Sequence, residues 1–241
     1  MTAQSLETQA AAAMRHIARN EALKAYILQN TALYNTLLQA ALRFIGGETL
    51  AQCVETVLTL NQQEFATTID YMGESTRSAT QVQQVTEEFL GVVRAIDVQH
   101  LNSSVSLDLS HIGLALDADL AFENASVIAT AARTAGLEVM ISMEGSERTA
   151  DIIKIHQRLC DRFDNVGITL QARLHRTAED LASILEQPGK IRLVKGAYEE
   201  PADIAWTSAA ELSAAYLNLM ETLLSSGHTC AIATHDPVEL V

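Results

Sequence analysis

A chain of 241 residues, 48% of them hydrophobic and only 3 of them proline, is long enough for one large domain with a substantial core. Thirty acidic against 16 basic residues give a formal net charge of -14, which argues against a nucleic-acid partner and favours solubility. Aromatic residues make up only 5%, so the core must come mainly from Leu, Ile, Val and Ala.

Cys53, Cys160 and Cys230 are odd in number, widely spaced and free of any C-x-x-C arrangement. Neither a disulfide framework nor a zinc knuckle is indicated, no metal is expected, and a reducing cytoplasm fits. Met1 to Gln9 is polar and acidic, unlike a secretory signal, and no apolar run approaches the ~18 residues of a membrane span. Peripheral association with a membrane stays open.

Helical material comes first, at Ala10 to Ala13, Glu21 to Leu28 and Leu33 to Phe44, interrupted at Asn30 and closed by Gly46-Gly47. It reads as an N-terminal helical arm over residues 1–46, followed by a second region over 47–241. From Thr49 helices and strands alternate. Helix Thr49 to Leu60 precedes strand Thr67 to Tyr71, helix Thr80 to Ile96 precedes Val105 to Leu109, and helix Leu120 to Ala135 precedes Val139 to Ile141. Helix Thr149 to Phe163 then leads to Gly167 to Leu170, helix Ala178 to Leu185 to Ile191 to Val194, and helix Ser208 to Ser226 to Cys230 to Ala233. The strands are short and apolar enough to be buried on both faces, which predicts a parallel α/β sheet. No G-x-G-x-x-G follows any strand, which weakens a dinucleotide-binding reading.

Polar residues follow nearly every strand: Asp70, Glu74, Ser110, His111, Ser142, Glu144, Gln171, Arg173, Lys195, Thr234 and His235. Their recurrence at the carboxyl ends predicts a (βα) barrel with one rim as its working face. Each also has an ordinary reading. Glu74 and Glu144 can cap the helices that follow, and His111 and His235 can be hydrogen-bonded loop histidines, since no metal-ligand spacing accompanies them. Met140 and Met143 suit packing.

The most informative stretch is Ile191 to Pro201, an apolar strand opening into charged, small and aromatic residues. Gly196 permits a turn and a close backbone approach, while Arg192 and Lys195 supply fixed positive charge suited to an anionic or electron-rich cofactor. The competing reading is a strand that ends at an ordinary turn, with both cations solvated.

The motifs together resemble a known family. Gly47-Glu-Thr-Leu50, Asp70-Tyr-Met-Gly-Glu74, Gly167-Ile-Thr-Leu-Gln-Ala172, Arg192-Leu-Val-Lys-Gly-Ala-Tyr198 with Glu200-Pro201, and Ala233-Thr-His-Asp236 occur in the order seen in flavin-dependent proline dehydrogenases of the short monofunctional type. The resemblance implies a distorted (βα)8 TIM-type barrel that carries FAD. It also implies oxidation of L-proline, or a related cyclic secondary amine, to the cyclic imine (1-pyrroline-5-carboxylate) in proline catabolism, with an electron acceptor such as a quinone. By position, Arg192 matches the arginine beside the reactive flavin nitrogen and Gln171 the glutamine that hydrogen-bonds the flavin. Lys195, Gly196, Thr234 and His235 fall on cofactor-contacting positions, and Asp70, Ala197 and Tyr198 on the substrate side. The competing classes are a flavin-free barrel kept for binding or regulation, and another flavin barrel such as a folate reductase.

Two substitutions depart from that pattern. The family lysine of the second strand is replaced by Asp108, and the aspartate that pairs with it by Ser142. An ionised Asp108 would repel a substrate carboxylate ~4 Å away by about 4 kcal/mol at an effective dielectric near 20. A third departure is that six strands are visible, without the last two strands and the arginine-bearing helix of the family. The expectation is a fragment of a longer product, or a barrel completed by another segment.

Overall fold

The computed structural model describes residues 13, 14, 17, 20–73 and 75–235. Most of the helix expected at Ala10 to Ala13, the motif residue Glu74 and the motif residue Asp236 lie outside the described residues. Two compact units divide the chain, Met1–Thr56 and Val57–Val241.

In the first unit, α1 (Glu21–Gln29) and α2 (Thr31–Ala41) are short helices separated by one residue. The break is chemical: Asn30 is extended, and its side chain accepts a hydrogen bond from the Leu33 N–H, as Asn20 does for Leu23, so each asparagine starts a new helix. The division between the units falls inside α3 (Leu50–Gln62), whereas the sequence boundary at 46/47 lies in the loop before that helix.

The second unit is a six-stranded parallel sheet in simple sequence order. Its strands are β1 (Thr67–Asp70), β2 (Ser103–Leu107), β3 (Val139–Ile141), β4 (Val166–Gln171), β5 (Ile191–Val194) and β6 (Cys230–Ala233). Between them run α4 (Ala79–Val98), α5 (Ala118–Thr134), α6 (Ser146–Cys160), α7 (Thr177–Ile184) and α8 (Ala209–Ser225). Ser78, Asp117 and Ser208 cap α4, α5 and α8 through side-chain oxygens that accept first-turn N–H groups. This is the half-barrel form of the expected α/β barrel, with each helix returning the chain so that neighbouring strands run parallel.

Side-chain alternation decides what each face of the sheet does. Ile69, Val105, Leu107, Val139, Ile141, Ile168, Leu170, Ile191 and Leu193 are all buried and form one apolar face, where each side chain contributes roughly 1.5–3 kcal/mol. The intervening positions are Thr68, Asp70, Ser104, Ser106, Met140, Gly167, Thr169 and Arg192, and the register aligns Asp70 with Ser106, Ser106 with Met140, and Thr169 with Arg192. The expectation of strands buried on both faces holds for β3 and β4, in which every residue is buried, but not for β1, β5 and β6. The helix-covered face is mainly apolar, and the concave face is mostly polar or small, with Met140 and Val194 on it.

Strand bounds shift by one or two residues at β1, β2 and β4, and the shift in β2 matters for the site. The sheet part of the second strand ends at Leu107, because Leu109 already adopts helical torsions and leads into a π-helical turn at Ser110–Leu114 that contains Gly113 at φ +127°. Asp108 consequently sits one residue past the ladder, at the rim.

Candidate active site

Arg192 is the centre of the polar face. Its place as second residue of β5 puts its side chain on the concave side, beside Thr169 of β4. Nε donates to Thr169 Oγ1 at 2.9 Å, and Nη2 donates to Ser106 Oγ at 3.2 Å and Ser142 Oγ at 3.3 Å. The two serine oxygens are 3.1 Å apart. Asp70 lies opposite Ser106 in the sheet, where the charge of Arg192 and the Ser106 hydroxyl both favour its ionised form.

The electrostatics follow from crowding. Asp70 is open to water on one side, yet enough protein surrounds it that desolvation raises its carboxyl above the ordinary value, with Arg192 and Ser106 pulling the other way. Desolvation lowers the half-buried Arg192, opposed by attraction to Asp70 and then to Asp108. A guanidinium stays charged regardless. One cation thus faces two carboxylates. The departure at Asp108 and Ser142 is therefore not a bare negative charge. Asp108 has Arg192 as a counter-charge, and Ser142 holds that same arginine.

Gln171 ends β4 with its side chain buried, and its Nε2 donates to the Glu144 carbonyl at 3.1 Å. Gly196 lies against it at φ +104°, and a Cβ there would stand 2.9 Å from Gln171 Oε1 and 3.1 Å from Arg173 Cβ. Both the torsion and the space require glycine. Lys195 Nζ donates to Ser213 Oγ on α8 at 3.2 Å. Arg173 ties the loops after β4 and β5 together, donating from Nε to the Gly196 carbonyl at 3.2 Å and from Nη1 to the Trp206 carbonyl at 3.3 Å. Ala197 and Tyr198 are exposed in the loop that follows, Thr234 is half-buried after β6, and His235 is exposed. Asp70, Asp108, Ser142 and Arg192 thus converge, and Gln171 meets Gly196 one strand end away.

Several rim residues do more than their local sequence suggests. Glu144 is 1% exposed, accepts the Ser110 N–H at 2.9 Å and pairs with Arg148 Nη1 at 3.0 Å. Arg148 Nη2 reaches Ser75 Oγ at 3.1 Å, and the Ser75 N–H donates to Ser110 Oγ at 3.0 Å. This network locks the ends of β1, β2 and β3 to one another, a role beyond capping a helix. Glu200 accepts the Ser146 N–H at 2.9 Å at the start of α6, where a carboxylate also meets the positive end of the helix dipole.

His111 is buried against Tyr71, ring centroids 5.2 Å apart, and edge-on to Phe89 at 6.0 Å. Burial lowers its pKa, a hydrogen bond to the Tyr71 backbone opposes that shift, and Nδ1 is buried without a partner among the described residues. Gly73 lies flat on the ring, since a Cβ there would come within 2.3 Å of Nε2. A cavity of about 680 Å³ opens beside this stack, lined by Tyr71, Thr76, Arg77, Gln84, Glu88, His111 and others, and by none of the residues matched to cofactor or substrate positions.

Sequence reasoning missed Ser106, Thr169, Arg148 and Glu200. For the first two a signal existed: in Ser103-Ser-Val-Ser-Leu107 and Val166-Gly-Ile-Thr-Leu-Gln171 polar and apolar residues alternate with the period of a strand that has one polar face.

A family model for proline dehydrogenase matches residues 53–240. The chain belongs to the proline dehydrogenase family. It is 36% identical over 203 residues to proline dehydrogenase 1 of Bacillus subtilis, an alignment covering 84% of this chain and 67% of that protein. To the proline dehydrogenase of Deinococcus radiodurans it is 30% identical over 199 residues, covering 80% of this chain and 64% of that one. The chain thus spans about two thirds of the length of these proline dehydrogenases. Among solved structures, proline utilization A from Bdellovibrio bacteriovorus, inactivated by N-propargylglycine, superposes with a TM-score of 0.80 at 20% identity, covering 92% of this chain and 28% of that one. Proline utilization A from Bradyrhizobium japonicum gives 0.71 at 18%, covering 87% and 25%. At those identities the likeness concerns the fold. Among the described residues of this proline dehydrogenase family member, no helix is long and apolar enough to cross a membrane.

Proposed function

We propose that this chain houses a flavin site that oxidises L-proline, or a related cyclic secondary amine, to the cyclic imine, which for proline is 1-pyrroline-5-carboxylate. The observation that carries the proposal is Arg192, a fixed cation on the concave face of a family member. Three hydroxyls hold it, and its Nη1 donates to no protein atom among the described residues. The donor set at the ends of β4 and β5 fits the cofactor this implies: a guanidinium with a spare N–H, an amide and an ammonium suit a ring edge that becomes anionic.

FAD, when bound, supplies the two-electron acceptor. Arg192 would present positive charge toward a ring that becomes anionic on reduction, and Gln171, Lys195, Gly196, Thr234 and His235 would bind and orient that ring. Asp70, Asp108, Ser142, Ala197 and Tyr198 form the substrate side, where two carboxylates near one guanidinium favour a cationic amine. The amine loses a hydride from a ring carbon beside nitrogen and a proton from nitrogen, and the C=N bond forms. We place the reaction in the cytoplasm, with the electrons passing on to an acceptor such as a quinone.

The experiment is to purify the protein with its cofactor and offer it a panel of amines. A flavin absorption band, and selective reduction by proline or a cyclic amine, is expected. Protein that neither retains nor binds FAD would overturn the proposal and leave a binding or regulatory barrel.

A further inference from the structure

We infer that Ser106 and Thr169, together with Ser142, are positioning residues that fix the direction of Arg192 without neutralising it. The inference rests on the flavin site proposed above for its functional consequence, but not for its geometry.

Thr169 Oγ1 accepts from Nε, and Ser106 and Ser142 accept from Nη2. Nε and Nη2 lie on one edge of the planar guanidinium, so these acceptors set the plane and leave Nη1 on the far side. The acceptors come from three strand regions, β2, the end of β3 and β4, and Ser106 and Thr169 are buried. Proton directions are consistent throughout. Either serine hydroxyl can donate in the 3.1 Å contact between them, and each oxygen keeps a lone pair for Nη2.

Carboxylates in these positions would hold the arginine equally well but would cancel its field at close range. Hydroxyls accept hydrogen bonds without carrying net charge, so the clasp itself adds nothing to the partial screening of the cation by Asp70 and Asp108. An arginine left untethered would lose rotamer entropy each time it was ordered for the reaction. The clasp orders it in advance.

Two measurements test this, one free of the cofactor. In the ligand-free chain, labelled at arginine, the Arg192 Nε–H should exchange with water at least tenfold more slowly than that of exposed Arg43. Thr169→Val, which keeps shape but removes the acceptor, should abolish the protection, and Thr169→Ser should restore it. In the flavin-loaded protein, Thr169→Val and Ser106→Ala should each weaken flavin reduction about tenfold in equilibrium terms, a shift of about 30 mV toward more negative potential for a two-electron couple. Thr169→Ser should leave the potential at the wild-type value. If the wild type binds no flavin, the proposed function fails while the exchange measurement still decides the clasp. If Thr169→Val does not fold, Ser106→Ala carries the comparison, read at the Arg192 Nη2 protons and at the flavin potential. An unprotected Arg192 Nε–H in the wild type, or folded variants with unchanged exchange and potential, would overturn the inference.

Discussion

The Glu144–Arg148 pair should respond asymmetrically to removal of its two members. Glu144 is 1% exposed, whereas the Arg148 side chain is 26% exposed. At their separation of 3.0 Å, the gross attraction at an effective dielectric near 20 is about 5.5 kcal/mol, largely offset by desolvation. Glu144→Gln keeps an acceptor for the Ser110 N–H and leaves an arginine that can turn to water, so we expect a loss of about 1–2 kcal/mol. Arg148→Ala strands a fully buried carboxylate and should cost about 3 kcal/mol or more. Glu144→Ala also orphans the buried Ser110 N–H, adding roughly 1–3 kcal/mol to the loss for Glu144→Gln. Urea unfolding followed by circular dichroism gives the three values. Equal losses for Glu144→Gln and Arg148→Ala, or a loss below about 1 kcal/mol for Glu144→Ala, would refute the view that this pair locks three strand ends together.

Three further outcomes are expected. Burial lowers His156 from 6.5 to about 4; because the folded value lies below the unfolded one, its neutral ring contributes stability present above pH 6.5 and lost as pH falls toward 4. That contribution is up to about 3 kcal/mol, so thermal melts of His156→Gln should fall less steeply than wild type over this window, and parallel melting curves would contradict the assignment. Gly196→Ala forces a side chain to φ +104° and into Gln171, costing about 1–3 kcal/mol, with a lower Tm and weaker FAD retention by fluorescence titration; an unaffected Tm would mean the loop adjusts freely. Asp108→Asn removes one of the two carboxylates that attract Arg192 and should raise kcat/KM for proline relative to pyrrolidine by about tenfold after screening, whereas an unchanged ratio would mean that Asp108 does not face the substrate.

The local sequence displayed the alternation of elements well, because apolar periodicity and punctuation are local properties. The strands at Val139–Ile141, Ile191–Val194 and Cys230–Ala233 fall where expected. Arg192 stood out for the same reason, at the junction of an apolar run and a charged loop. What stayed hidden depends on neighbours distant in sequence. Ser106 meets Arg192 across 86 positions, Glu200 meets Ser146 across 54, and Arg148 meets Ser75 across 73. No local pattern names such partners. The polarity of the concave face was hidden for another reason: short strands of mixed Ser, Thr, Gly and Ile read as apolar runs until the pleat separates their two faces. Asp108 looked like an isolated repulsive charge because its counter-charge lies on β5.

The most direct test of the proposed activity is anaerobic titration of the flavin-loaded protein with L-proline, followed by absorbance and by mass analysis of the product. The account predicts loss of the oxidised flavin band in step with formation of a product lighter than proline by two hydrogens, with Arg192→Met impaired in that reduction. A flavin band that survives excess proline and every cyclic amine tried, in protein whose cofactor is reduced normally by dithionite, would contradict it.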